Sequence, residues 1–330
     1  MPVATADQVK ALIRSHGQGD DAQFYSVAMQ MAARAARSGQ TRFAQELKEM
    51  IDAAKASQPS GAGLVARPVP VARPRGELAS LLTVSYPQTR LNDLSLPSDL
   101  IMKIKRVLAE QRQRERLVQK GFEPVRKLLL VGPPGTGKTM TAGLLAGELK
   151  LPLFLIRLES VLTKFMGETA AKLRLVFDAM EQTRGVYLFD EVDALAGDRG
   201  VANDVGEIRR VLNSFLQFLE LDASMSMVVA TTNHPQLLDR AMFRRFDSVL
   251  EFPLPTPKLA EQLMRRRLAS LETGDMDWRR LAKAAVSLSH SELTLATDQA
   301  AKGALLSGAR HITTDALLHA LAERRSVASL

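Results

Sequence analysis

One junction constrains this chain more than any other feature: a short apolar run, Lys127-Leu128-Leu129-Leu130-Val131, breaks directly into Gly132-Pro133-Pro134-Gly135-Thr136-Gly137-Lys138-Thr139. Three further apolar runs follow it, Leu153 to Ile156, Gly185 to Phe189 and Met227 to Ala230, each separated from the next by a stretch with helical spacing. Strands buried on both faces of a parallel sheet read as continuous apolar runs of this kind. Strands alternating with helices predict a doubly wound α/β domain. Beyond Pro257 the strand signals stop, and residues 258–271, 277–285, 291–306 and 313–325 read as amphipathic helices. A small helical domain is therefore predicted after the α/β domain.

Upstream the pattern is different. Thr5 and Gln8 form a capping-box pair, and Phe24, Val27, Met31 and Ala35 recur at helical spacing. A small helical module over residues 1–57 is predicted, as a recruitment unit. Prolines and glycines without periodicity mark residues 58–77 as a linker. The remaining divisions are an α/β domain over 78–256 and a small helical domain over 257–330, which the family resemblance given below makes a lid.

Composition removes several alternatives. The 330 residues contain no cysteine, which excludes disulfides, zinc–cysteine sites and thiol nucleophiles. No apolar run approaches the roughly 20 residues that span a bilayer, and no signal-peptide pattern opens the chain. A cytoplasmic location with no membrane partner is expected. The net charge is +8, and residues 103–127, with nine Lys/Arg against three Asp/Glu, supply most of the excess. This stretch reads as a solvated helix with a charged face. It is also the one candidate footprint for nucleic acid, though it lacks aromatic residues for base stacking.

The glycine loop has the P-loop spacing, and it follows a predicted strand and opens a predicted helix. Glycines allow backbone N–H groups to wrap a pyrophosphate, and the helix start adds positive potential. Lys138 would reach the β- and γ-phosphates, and the Thr139 hydroxyl would hold Mg²⁺. About fifty residues on, the strand Val186 to Phe189 ends in Asp190-Glu191. Two acids after a buried strand are costly unless a metal–phosphate cluster sits beside them. Asp190 would support the metal, and Glu191 would act as base toward the attacking water. A third strand ends in Thr231-Thr232-Asn233, whose amide can hold a water against the γ-phosphate, and Arg244-Arg245 follow eleven residues later.

These motifs, in this order and at these spacings, resemble the AAA family of P-loop ATPases over roughly residues 91–322. The resemblance implies a Walker A loop, with Pro134, Gly135, Thr136, Gly137, Lys138, Thr139 and Met140 binding ATP. It implies a Walker B pair in which Asp190, with Thr139, holds Mg²⁺ and Glu191 is catalytic. Asn233 matches the first sensor. Arg244 and Arg245 match arginine fingers that enter a neighbouring subunit's site, so a homo-oligomeric ring, commonly of six, is implied. Such a finger contributes about 10³–10⁵ in rate. Ser289-His290-Ser291-Glu292-Leu293 resembles the family's serine-glycine-alanine-aspartate-leucine stretch, with His290 and Ser291 departing from it and no sensor arginine evident there.

Lys164, Phe165 and Met166 resemble the first pore loop, which grips an unfolded polypeptide, and residues 197–206 suit a second. The leading reading is a protein remodeller driven by ATP hydrolysis. The alternatives are a nucleic-acid-loading ATPase using residues 103–127 and an ATP-dependent scaffold. No His-Glu-x-x-His or Gly-x-Ser-x-Gly peptidase motif occurs. The layout is similar to bacterial ATPases paired with subtilisin-like proteases in phage-defence gene pairs, which implies a separate protease partner.

Overall fold

The computed structural model describes residues 76–161, 166–195, 205–271, 273, 275–309 and 311–328, with isolated positions between 31 and 74. Most of the predicted N-terminal helices and nearly all of the predicted linker lie outside the described residues. So do Lys164 and Phe165 and most of the second predicted pore loop; Met166 begins a helix. The chain divides into two compact units, Met1–Pro68 and Val69–Leu330. In the first, the described positions Met31, Ala32, Ala35, Ala44 and Gln45 are helical. All that follows concerns the second.

Its centre is a six-stranded sheet: β1 (Leu82–Ser85), β2 (Lys127–Val131), β3 (Leu153–Ile156), β4 (Val186–Phe189), β5 (Met227–Thr232) and β6 (Ser248–Glu251), in the order β1-β3-β4-β5-β2-β6. Every pairing is parallel except β1 with β3, which is antiparallel. The four continuous apolar runs form the four inner strands. The two edge strands, β1 and β6, are not evident as apolar runs, because each buries only one of its four residues.

Side chains alternate faces along each strand. Leu129, Tyr187, Phe189, Val228 and Ala230 enter one core layer, against Phe177 and Phe215 of the flanking helices Met166–Gln182 and Val205–Leu221. Leu128, Leu130, Val186, Leu188 and Val229 enter the opposite layer, against Leu144 and Leu145 of helix Lys138–Leu149 and Ile104 of helix Ser98–Arg112. Leu128, Leu129 and Leu130 are fully buried, which stabilises the fold by about 1.5–3 kcal/mol each. Tyr187 stacks on Phe154 at 4.5 Å, and its hydroxyl donates to the carbonyls of Ala179 and Thr183.

The predicted basic helix over 103–127 is divided. Helix Ser98–Arg112 buries Leu100, Ile104, Val107, Leu108 and Gln111 against the sheet, a short helix Arg114–Val118 follows, and residues 122–126 carry no helix. Only one face of the first helix is solvated, because residues at i, i+3, i+4 and i+7 meet the core.

Four helices, Pro257–Arg267, Trp278–Ala284, His290–Leu306 and Thr314–Ala328, share a separate core around Met264, Leu281, Leu293 and Leu317. Thr256, Asp277 and Ser289 cap the first three through their side chains. Ser289 and Glu292 complete a reciprocal capping box.

Candidate active site

β4, β5 and β2 are neighbours in the sheet, so the segments leaving their C-terminal ends lie side by side, about one strand spacing of ~4.8 Å apart. Ligands of open α/β sheets bind at this edge. The three segments are the glycine loop after β2, Asp190-Glu191 after β4 and Asn233 after β5. They line a cavity of about 720 Å³, which the lid closes from the other side with Arg266, Arg267, His290, Ser291 and Thr294.

The glycine loop fits under the lid because Gly135 lacks a side chain. Gly135 has φ +72°, and a Cβ there would lie 2.6 Å from Ser289 Oγ and 2.9 Å from Ser291 Cβ. The Ser291 N–H donates to the Gly135 carbonyl at 3.0 Å, tying the lid to the loop. Gly132 passes so close to β6 that a Cβ would meet the Phe252 carbonyl oxygen at 2.2 Å.

Lys138 opens its helix almost fully buried, with Nζ donating to the carbonyls of Gly132 (2.7 Å) and Pro133 (2.8 Å) and to Asn233 Oδ1 (2.8 Å). Burial holds its pKa below the ordinary 10.5, and the carboxylates of Asp190, Asp193 and Glu191 oppose that shift. A triphosphate offers this ammonium charged acceptors that the loop carbonyls do not.

Asn233 joins the two halves of the site. Its Oδ1 accepts from Lys138 and its Nδ2 donates to Glu191 Oε1 at 3.1 Å. An ammonium only donates and a carboxylate only accepts, so this amide has one consistent orientation. Glu191 adopts φ +56°, a left-handed conformation unfavourable for a residue with a Cβ. It is held there by its N–H, which donates to Thr231 Oγ1 at 2.9 Å, and by its carbonyl, which accepts from the Ala194 N–H. The same Thr231 hydroxyl donates to Asp190 Oδ1. Thr231 is 1% exposed, so one buried hydroxyl orients both acids.

Thr139 Oγ1 lies 3.1 Å from both Asp190 carboxylate oxygens. A hydroxyl and a carboxylate side by side are hard oxygen donors suited to Mg²⁺, which takes few protein ligands and completes its shell with phosphate and water.

Pro134 to Met140, Asp190, Glu191 and Asn233 are thus gathered at one cavity, whereas Arg244 and Arg245 are not among its lining residues. Both arginines are exposed on the turn between helix Arg240–Phe243 and β6, and Arg245 pairs with Glu220 at 2.5 Å. Asp247 anchors the turn by accepting the N–H groups of Arg126 and Lys127, both at 2.8 Å. Thr231 does not stand out in the sequence, because threonine ends many strands and its contacts with the two acids form only in the fold. Arg266 and Arg267 lie on the first lid helix rather than in the Ser289 stretch, and Arg267 is bound to Asp298.

Residues 128–254 match the AAA family, the ATPase family associated with various cellular activities. The chain carries an AAA ATPase domain. An uncharacterised AAA family ATPase of Sinorhizobium fredii, y4kL, is 28% identical over 94% of this chain and 92% of its own length. An ATP-dependent zinc metalloprotease FtsH of Acidothermus cellulolyticus is 33% identical over 78% of this chain, and the proteasome-activating nucleotidase of Aeropyrum pernix is 34% identical over 61%. The chain spans only 39% and 51% of the lengths of those two relatives. The crystal structure of the FIGL-1 AAA domain has the same fold, with a TM-score of 0.59 and 22% identity over 73% of this chain and 85% of that one. The AAA domain makes the chain an ATPase. No described helix is long and apolar enough to cross a membrane.

Proposed function

We propose that this ATPase works as a homo-oligomeric ring, commonly of six, that remodels or threads polypeptides in the cytoplasm and passes them to a separate protease. One observation carries the ring: Lys138, Thr139, Asp190, Glu191 and Asn233 converge on one cavity, while the paired cations Arg244 and Arg245 lie off it, exposed on an anchored turn. Charge developing on a transferring phosphoryl group needs such cations. Arg266 and Arg267 of the lid already line the cavity, Arg267 bound to Asp298, and in this reading Arg244 and Arg245 of a neighbouring copy add to them.

In this reading the loop N–H groups and Lys138 bind the phosphates of ATP. Thr139 and Asp190 would hold Mg²⁺, which when bound would neutralise charge at the phosphates. Glu191 takes a proton from the attacking water, and Asn233 fixes the direction of that carboxylate through its amide N–H. Thr231 positions Glu191 and Asp190 through its buried hydroxyl. Arg244 and Arg245 of one copy complete the site of the next.

Polypeptide as substrate is supported by the relatives, one named as a protease and one as a nucleotidase that activates the proteasome. Lys164, Phe165 and Met166 would form the gripping loop. The nucleic-acid alternative draws on residues 103–127, where Arg106, Arg112 and Arg126 are ion-paired within the chain and Lys127 is buried. Unfolding of a fluorescent protein bearing an unstructured tail tests the choice. Phe165→Ala should reduce unfolding far more than ATP hydrolysis. Unfolding unaffected by that change, together with salt-sensitive binding to random-sequence DNA, would replace this reading with the nucleic-acid one.

A further inference from the structure

At the end of the sheet opposite the ATP cavity, three arginines from separate segments meet. Met227 and Val228 open β5 and donate their N–H groups to the carbonyls of Gly185 and Arg126, at 2.9 and 2.8 Å. Arg184 and Arg126 therefore lead into the two strands that flank β5. Gln111, near the end of helix Ser98–Arg112, donates from Nε2 to the Val125 carbonyl at 2.7 Å, and helix Arg114–Val118 starts just beyond it. Arg114 is thereby held to the same edge.

Arg126 is neutralised, because its guanidinium pairs with Asp222. Arg114 and Arg184 form no hydrogen bond or ion pair among the described residues. Burial, and then the positive charges of Arg184 and Arg126, hold Arg114 below the ordinary arginine pKa, and Glu123 opposes them. Its Nη1 is buried without a partner. The other edge of this guanidinium, where Nε–H and Nη2–H lie parallel, is neither bonded nor sealed. That edge is a fork that takes both oxygens of a carboxylate.

Two guanidinium groups brought together with no carboxylate between them repel each other, and an oxyanion shared by both removes the repulsion. The surroundings select what carries it. Phe122, whose N–H bonds to the Leu117 carbonyl of helix Arg114–Val118, is more than half exposed, and so are Leu221, next to Asp222, and Met225. Apolar side chains around a cationic pair suit a peptide, whereas a nucleic-acid backbone would meet the exposed Glu115 and Glu123 on the same segment. We propose that Arg114 and Arg184 dock an acidic segment of a partner protein, with a carboxylate seated between them and a neighbouring apolar side chain on Phe122. This edge is separate from the cavity, so the proposal stands or falls independently of the ATP reading.

The test is fluorescence anisotropy on the full chain with a labelled peptide of alternating aspartate and leucine. The parent should bind it, and replacing every aspartate by asparagine should weaken binding by about tenfold or more. Arg114→Gln and Arg184→Gln should each weaken it by about five- to tenfold. Arg184 is exposed, so its change carries the test if the Arg114 change disturbs the fold. Arg106→Gln, an equal change of charge on an exposed arginine of helix Ser98–Arg112, should leave binding within about twofold. No binding by the parent, equal affinity for the asparagine peptide, or parental affinity in both Arg114→Gln and Arg184→Gln overturns the proposal. Undiminished affinity after serine replaces every leucine reduces the site to one for a bare oxyanion and overturns peptide docking. Tighter binding of random-sequence single-stranded DNA, lost in Arg114→Gln and Arg184→Gln, overturns it in favour of nucleic acid.

Discussion

Replacing Thr231 by valine keeps the shape of a fully buried side chain and deletes one hydroxyl. That hydroxyl accepts the Glu191 N–H at 2.9 Å and donates to Asp190. The neutral bond is worth about 1 kcal/mol and the charge-assisted one about 1.5–3 kcal/mol. Some of this is offset, because Glu191 at φ +56° can relax once its anchor is gone, releasing about 1–2 kcal/mol of strain. Net destabilisation should therefore be small, about 1–3 kcal/mol. The larger effect is on chemistry, because the relaxation carries the Glu191 carboxylate away from the position that Asn233 fixes. A displacement of about 1 Å can reduce turnover by about 10²-fold. Steady-state ATP hydrolysis should fall by that order, the Mg²⁺ concentration for half-maximal rate should rise, and the Glu191 amide should exchange hydrogen faster. Thr231→Ser, which keeps the hydroxyl, should stay near the parent. A valine variant with parental turnover and parental Mg²⁺ dependence would refute the positioning role.

Lys138 makes two further outcomes measurable. Lys138→Met should abolish detectable binding of a fluorescent ATP analogue while the protein remains folded, since the loop carbonyls of Gly132 and Pro133 lose only a donor at the rim of a cavity. In the parent, the depressed pKa means that the folded state holds fewer protons than the unfolded one between that lowered value and the ordinary 10.5. Stability should therefore rise with pH in that window while ATP affinity falls, and the Met variant should lack this rise in denaturant titrations.

The inner strands were legible because β2, β4 and β5 are buried on both faces and β3 is apolar throughout, so all four read as unbroken apolar runs. Their edges were not: Leu82–Ser85 and Ser248–Glu251 are short and mostly polar or half-covered, and pairing with β3 and β2 defines them as strands. The phosphate loop was legible because a backbone wrapped around phosphate restricts residue type at each position, as the contacts of Gly132 and Gly135 show. Asp190, Glu191 and Asn233 were legible only through their place at strand ends. Thr231 was not, because its role depends on Asp190 and Glu191, neighbours from a distant part of the chain. The interruption of the basic segment at Gln113 was also hidden, since its charges mask the apolar face formed by Ile104, Val107 and Leu108.

Subunit mixing tests the shared site most directly. Arg244→Ala subunits keep Glu191, Glu191→Gln subunits keep Arg244, and each alone should hydrolyse ATP very slowly. General-base loss alone typically removes about 10²–10⁴ in rate. Combined, they should regain hydrolysis at the interfaces where an intact Glu191 meets an intact Arg244 from the adjoining copy, with a maximum at intermediate proportions. Mixtures that never exceed the sum of the two separate activities, at any ratio and at concentrations where the copies associate, would contradict a site completed by a neighbour.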